Sequence, residues 1–483
     1  MMNKFLLAAL LPLVLAFSAG AQSDTTGYRI RIRLKPFHNQ YVYLGHYYGN
    51  QYPIDDSALL NDQGEAEFHG SRPLGGGVYL VGYPDKKQFF EILLDKQQHF
   101  TILADTSAIP EGLRFINSPD NELFNTYQKY VHGKGRSIDE ARARLAAART
   151  PADSTRWKAV VDTRNRELHA YRENLVKTHP GSLLATLLTA MREPEVPPAG
   201  RQPGGRYDSV YVYHYYKNHF WDGVNFYDDR LTRTSFFDTK LNRYFQQLVY
   251  PDPDSVNHEI DWMMGYASVS PEMQKFLLLK FVNRYINQQY MWEDKVFVHL
   301  FEKYFSNQHY PWLNKQGEET IANRAYSLMA NILGSFAADI SLPDTAGNLR
   351  ALSGEKAPYT LVCFWDPTCG HCKATLPLID SVYRSKWKAL GVHIFAVGRE
   401  TEGTRADWMK FIHEHHLEDW THVFDSKQAE QDRVARGNPS YAQLYDIQVF
   451  PTLYLLDADK RIIAKKLTFE QMDLVLKAKT AKP

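Results

Sequence analysis

Thr360-Leu361-Val362-Cys363-Phe364-Trp365-Asp366-Pro367-Thr368-Cys369-Gly370-His371-Cys372 decides how this chain is read. The apolar run from Tyr359 to Trp365 has the length and residue types of a buried strand, Pro367 breaks it, and a helical pattern follows from Gly370 to Ala389. The stretch is therefore strand, turn, helix, with two cysteines at the helix start.

Two thiols separated by two residues on a first helical turn can close a small disulfide ring and reopen it, a reversible two-electron switch. Unpaired backbone N–H groups and the helix dipole favour an anion at Cys369, which makes it the expected nucleophile. Cys372, one turn further in, can attack only a sulfur already bonded to Cys369, so it is the resolving thiol. His371 can carry positive charge beside the Cys369 thiolate, which favours the reduced form and pushes the couple toward oxidising potentials. Gly370, Trp365 and Asp366 complete the expected set of tuning residues. For Asp366 the alternatives are a water-mediated proton helper and a simple turn or cap residue before Pro367.

A CxxC pair also occurs in zinc sites and structural disulfides. Zinc takes about four protein ligands, commonly a second CxxC or paired histidines. The chain has three cysteines, and no second cluster has that spacing. The third, Cys363, lies in the strand and is expected to be an inert buried thiol pointing away from the pair. His413-Glu414-His415-His416 lacks the i, i+4 histidine spacing of a metalloprotease helix and reads as a solvated helix end. A peroxidase motif of the form Pro-x-x-x-Thr-x-x-Cys is missing, as are a nucleotide-binding glycine loop and a nucleophile elbow. No metal and no cofactor is expected.

At the N-terminus, Lys4, an apolar run from Phe5 to Phe17 and the small residues Ala19 and Ala21 read as a secretory signal peptide over 1–21, cleaved after Ala21. The run is shorter than the roughly 20 residues of a spanning helix, so no stable membrane insertion is expected. A periplasmic compartment permits disulfides, yet three cysteines build no disulfide framework, so the pair is read as catalytic. With 56 basic against 55 acidic residues, nothing attracts nucleic acid or anionic lipid.

Upstream, strand periodicity fills 22–117: Ile30, Ile32 and Leu34 alternate with Arg29, Arg31, Arg33 and Lys35. Further strands are expected at Tyr41 to Tyr47, Glu65 to His69, Gly77 to Gly82, Phe89 to Leu94 and His99 to Leu103, giving an antiparallel β-sandwich. Helical periodicity over 118–334 predicts an all-α domain with helices at Asn121 to Tyr130, Asp139 to Ala148, Thr155 to Lys177 and Pro271 to Asn287. The aromatic stretch Tyr207 to Tyr227 reads as core packing rather than a partner groove. From 335 to 483, strands at Thr360 to Trp365, Val392 to Val397, Thr421 to Asp425, Thr452 to Asp457 and Arg461 to Lys466 alternate with helices, predicting an α/β layer.

This C-terminal order resembles the thioredoxin fold, specifically the secreted TlpA/ResA-like thiol-disulfide oxidoreductases. The resemblance is carried by Phe364-Trp365 before the pair, Lys373 after it, Pro377 where the family kinks its active-site helix, and Val449-Phe450-Pro451-Thr452. It implies that Phe450 and a cis Pro451 form the substrate loop facing the cysteines, and that Cys369 and Cys372 form the redox-active disulfide. Cys-Gly-His-Cys is the protein disulfide isomerase version of the motif, implying a potential on the oxidising side of thioredoxin (near about −180 mV against about −270 mV). The family's usual acids are replaced by Cys363 and Thr375. The implied partners are envelope proteins bearing thiols or disulfides and a membrane redox partner. The upstream regions resemble the β and helical domains that precede such modules in some envelope proteins of unknown function. That likeness keeps one alternative open: a binding or scaffold protein whose redox module is secondary.

Overall fold

The computed structural model describes residues 27–481, so the signal peptide expected at 1–21 lies outside the described residues. The chain divides into two compact units between Lys240 and Leu241. The helical stretch from 118 to 334 contributes to both.

The first unit opens with eight strands: β1 (Tyr28–Lys35), β2 (Tyr41–His46), β3 (Ile54–Leu59), β4 (Glu65–Gly70), β5 (Gly77–Gly82), β6 (Phe89–Leu94), β7 (His99–Asp105) and β8 (Leu113–Ile116). They form two four-stranded sheets, ordered β4-β1-β7-β8 and β3-β2-β5-β6. Strict alternation in β1 buries Tyr28, Ile30, Ile32 and Leu34 and exposes the basic residues between them. Ile32, Phe68 and Ile102 from one sheet share an apolar cluster with Leu44, Val81 and Ile92 from the other. The sheets are not wholly antiparallel, because β1 pairs with β7 in parallel. Alternation reports which face of a strand is buried and is blind to the direction of its neighbour, which depends on the crossover connection. Strand β3 escaped the sequence reading because Asp55 and Asp56 are poor strand formers. Asp56 is recruited there as an acceptor for the Tyr28 hydroxyl (2.8 Å) and the His69 amide (3.0 Å).

Two 28-residue helices follow, α1 (Pro119–Ala146) and α2 (Pro151–Thr178). The sequence reading placed two helices here, ending at Tyr130 and resuming at Asp139; the gap holds Gly133 and Gly135, each of which costs about 1 kcal/mol in a helix interior. The helix continues because α2 pairs with it: Lys134 bonds Glu167 at 2.5 Å, and Tyr130 stacks on Tyr171. After α3 (Leu183–Ala190), the aromatic helix α4 (Ser209–His219) corrects a second expectation, for it contains no buried residue. Its core contribution comes just after its end, from Phe220, Trp221 and Phe226.

The unit boundary falls within α5 (Phe237–Gln247). The second unit continues through α6 (Pro253–Ala267), α7 (Pro271–Tyr285), α8 (Glu293–Leu300) and α9 (Lys315–Met329), then a small hairpin of β9 (Ser341–Pro343) and β10 (Leu349–Ala351). Next come β11 (Tyr359–Trp365), α10 (Gly370–Val382), β12 (Val392–Arg399), α11 (Arg405–Glu414), β13 (Thr421–Asp425), α12 (Lys427–Ala435), α13 (Tyr441–Leu444), β14 (Thr452–Asp457), β15 (Ile462–Lys465) and α14 (Phe469–Thr480). The sheet order is β13-β12-β11-β14-β15, with β11 parallel to β12 and antiparallel to β14. Both faces of β11 are covered. Leu361, Cys363 and Trp365 pack with Leu376 and Ile379 of α10 and Met472 of α14, while Val362 and Phe364 pack with Tyr441 and Tyr445. Such a strand reads as a continuous apolar run instead of an alternating one. Among the described residues, no helix is long and apolar enough to cross a membrane.

His422 on β13 is buried beside Trp420, with its Nε2 2.8 Å from the Leu417 carbonyl oxygen. Burial pushes its pKa down to about 4, so the folded state holds the neutral ring. This contribution is fully present above the ordinary value near 6.5 and is lost as pH falls toward 4. Relative to a His422→Gln variant, the wild type should lose about 3 kcal/mol across that window. Urea unfolding at a series of pH values measures the difference, and parallel curves for the two proteins would refute it.

Candidate redox site

The turn between β11 and α10 sets out the two thiols in different environments. Cys369 is the N-cap of α10, in extended conformation (φ −65°, ψ 120°), and is partly exposed. Its carbonyl accepts the first helical bond, from Lys373 N at 3.1 Å, and its own amide bonds Asp366 O at 3.2 Å. Cys372 faces inward one turn later and is fully buried with Leu376 and Ile379. Pro377 lies inside α10 and leaves the following turns intact.

Opposite this helix start, the Phe450–Pro451 peptide bond is cis. The Cys369 Sγ lies 3.6 Å from the Phe450 carbonyl oxygen, as a thiol donor to that acceptor. A cleft of about 590 Å³ opens beside them, walled by His371, Thr375 and Leu378 from the helix and by Val449 to Leu453 from the loop and strand. Val449 and Leu378 are exposed apolar residues at its rim. His371 is exposed. A Cβ added at Gly370 would meet open space, so the approach to Cys369 is unobstructed on that side. Trp365 is fully buried, its ring 5.1 Å from Phe411, and forms part of the wall beneath the turn.

Burial pushes the Cys372 thiol far above the ordinary value, against the lowering effect of a backbone hydrogen bond from Asp366. Cys363 is also pushed up, to about 12, by burial alone. Its position corrects the sequence reading. Cys363 does not point away from the pair; it shares the apolar cluster of Cys372 and lies close enough to raise that thiol further. Odd-numbered side chains of β11 face α10, and the alternation of a doubly buried strand is invisible in its composition.

Asp366 is buried, and both carboxylate oxygens are occupied. One accepts from the Thr368 amide at 2.7 Å and the Thr368 hydroxyl at 2.5 Å, and the other accepts from the amide and hydroxyl of Thr401. Burial raises this carboxyl, but those hydrogen bonds outweigh it and hold the group below the ordinary carboxylate range. The side chain therefore fastens the turn, while its backbone amide meets the Cys372 sulfur. Thr401 and Gly403, in the loop after β12, were missed by the sequence reading. A Cβ on Gly403 would come within 2.7 Å of both Pro367 and Thr368. A lone glycine in a polar loop was the only available signal.

Among the described residues, no group of three or more His, Cys, Asp or Glu side chains is arranged to hold a metal ion. His413 instead bonds Glu418 at 3.1 Å.

A family model described as a domain of unknown function, DUF5106, matches residues 164–331. No curated protein matches the chain. Among solved structures, a domain of a possible thiol-disulfide isomerase from Cytophaga hutchinsonii is 32% identical, covering 31% of this chain and 94% of that one, with a TM-score of 0.26. A thiol:disulfide interchange protein from a Bacteroides species is 29% identical, over 31% of this chain and 91% of its own (TM-score 0.27). A thioredoxin-like protein from Bacteroides caccae is 18% identical, over 59% of this chain and 99% of its own (TM-score 0.44).

Replacing Asp366 with Ala should remove the acceptor of the exposed Thr368 and the half-buried Thr401, at about 0.5–1.5 kcal/mol for each hydrogen bond lost. Urea unfolding of the reduced protein measures this. A loss below about 0.5 kcal/mol, the size of an ordinary surface substitution, would show that the carboxylate does not hold the turn.

Proposed function

The chain belongs, through its C-terminal domain, to the thioredoxin-like thiol-disulfide oxidoreductases, and from that premise we propose that it is a periplasmic thiol-disulfide oxidoreductase acting on protein thiols and disulfides through Cys369 and Cys372. The observation that carries the reading is the half-exposed Cys369 sulfur facing the Phe450 carbonyl, with Cys372 buried one turn behind it.

In the reducing direction, the Cys369 thiolate attacks one sulfur of a substrate disulfide. That S–S bond breaks, a mixed disulfide forms, and the departing substrate thiolate takes up a proton. Cys372 then loses its proton and attacks the Cys369 sulfur, which releases the second substrate thiolate. The substrate gains two electrons and two protons, and the pair is left as a disulfide. Oxidation of a substrate dithiol is the same sequence reversed. The backbone beside Phe450 is the edge on which an extended substrate segment pairs. Cleft residues Val449 and Leu378 supply the apolar contact for its side chains.

The buried position of Cys372 serves this sequence. A neutral resolving thiol does not compete for the incoming disulfide, and its desolvation keeps it out of reach of any sulfur except that of Cys369. Its proton leaves only when the mixed disulfide has formed. The periplasmic setting is drawn from the leader-like residues 1–21, and the partners proposed are envelope proteins together with a membrane protein that resets the pair.

A Cys372→Ser variant should accumulate disulfide-linked adducts at Cys369, visible as dithiothreitol-sensitive bands on non-reducing gels, whereas Cys369→Ser should accumulate none. If Cys372→Ser traps nothing and the wild-type pair does not equilibrate with a glutathione redox buffer, the oxidoreductase reading fails.

A further inference from the structure

Asp446 connects the redox site to the helical segment that precedes it. It lies just past α13, at a positive φ of 44°, and its carboxylate is buried. From α9, Arg324 Nη1 donates to it at 2.6 Å and Ser327 Oγ at 3.3 Å. Gln448 Nε2 donates from the substrate loop at 3.1 Å, and Lys466 Nζ completes the set from the end of β15. Arg324 is itself fixed by the Ile286 carbonyl at 2.9 Å and by the Gln288 side chain. Ser327 and Asn331 reach the α13 carbonyls of Gln443 and Leu444 at 3.2 and 3.0 Å.

The same carboxylate stands at the cleft. Asp446, Gln448, Phe450 and Lys466 all line it, and Phe450 presents its carbonyl to Cys369. Displacing Asp446 therefore displaces the loop whose height over the sulfur defines the site. A second charge cluster, adjacent to the first and within the field of Arg324, Asp446 and Lys466, also fastens the helical segment to the sheet. Lys465 Nζ pairs with Asp294 and donates to the Asn331 carbonyl and side-chain oxygens at 2.7 and 2.6 Å. Lys465 and Lys466 diverge, one going to the core anchor and the other to the cleft. Burial raises the Asp446 carboxyl, yet the bonds from Arg324 and Lys466 outweigh it and keep the group below the ordinary carboxylate range.

We propose that Arg324 and Asp446 are positioning residues: through their ion pair, helix α9 sets the height of the Phe450–Pro451 loop over Cys369, so that 286–331 belongs to the polypeptide-binding apparatus of the redox centre. The inference rests on the oxidoreductase reading above. It assigns a purpose to the end of the segment matched by the domain of unknown function.

The test uses the full chain with Arg324→Gln, with Arg324→Lys as the conservative rescue, and with Arg324→Gln/Asp446→Asn in case the single variant does not fold. Asp294→Leu/Lys465→Met is the control, since replacing both members of a buried pair by apolar residues is tolerated. Two readouts are taken. One is KM and kcat for a disulfide-bonded peptide against those for a small aromatic disulfide, and the other is hydrogen exchange over 447–452. Arg324→Gln should raise KM for the peptide about threefold or more, affect the small disulfide less than the peptide, and speed exchange over 447–452. Arg324→Lys should restore part of both, and the control should show neither effect. Unchanged exchange and an unchanged KM split in Arg324→Gln, or equal effects in the control, would overturn the positioning role. A wild type that exchanges no disulfides would instead sink the oxidoreductase reading, and the hydrogen-exchange arm would still decide whether α9 positions the loop.

Discussion

Strand β11 has no solvent-facing side, and the redox site follows from that constraint. A central strand covered on both faces can present chemistry only where it ends, and β11 ends at Trp365, just before the turn that starts α10. Burial of Trp365 and the four donors on Asp366 fix the direction in which the chain leaves the sheet. The first residue free of both constraints is Cys369. One helical turn later the chain is back over the sheet, so Cys372 is buried by the same geometry that exposes its partner. The asymmetry of the two thiols is a consequence of the strand's position.

In the proposed reaction, that geometry narrows how Cys372 loses its proton. The carboxylate nearest in sequence, Asp366, is a poor acceptor, because its oxygens are saturated by Thr368 and Thr401 and its proton affinity is lowered. Cys363, in the place where thioredoxins have a carboxylic acid, is a neutral thiol under ordinary conditions. Neither group draws the proton away. What remains is the Asp366 backbone amide, which stabilises a Cys372 thiolate directly, and the exposed side of the mixed disulfide, where the leaving sulfur is itself a base. The departing substrate thiolate can therefore take the proton that Cys372 gives up, with no dedicated side chain in between.

The sequence made the chemistry-bearing core legible because its elements are locally determined. The apolar run of β11, the break at Pro367 and the helical pattern after Gly370 each state their own conformation, and the strands at Thr421 to Asp425 and Thr452 to Asp457 appear where periodicity placed them. What escaped depends on residues distant in sequence. Thr401 means nothing until β12 is laid beside β11 and brings its hydroxyl to Asp366. The side of β11 on which Cys363 lies, the parallel neighbour of β1 and the continuity of α1 through two glycines are likewise decided by a partner element. The short α12 was missed for another reason: it is mostly polar and buries no residue, so no apolar periodicity marks it.

The buried charges of the second unit bear on what the helical segment contributes. An ion pair such as Asp294–Lys465, a few per cent exposed, gains little net stability once both groups have been stripped of water, since desolvation and attraction nearly cancel. Apolar residues would hold a helix against a sheet at least as firmly. A charge pair differs from them in tolerating no alternative register, because any slide leaves both charges unpaired in a dry place. Arg324, Asp446 and Lys466 impose the same intolerance at the edge of the cleft. A site that must hold one carbonyl at a set distance from one sulfur needs register more than it needs adhesion. Buried charge is the means by which α9 provides it.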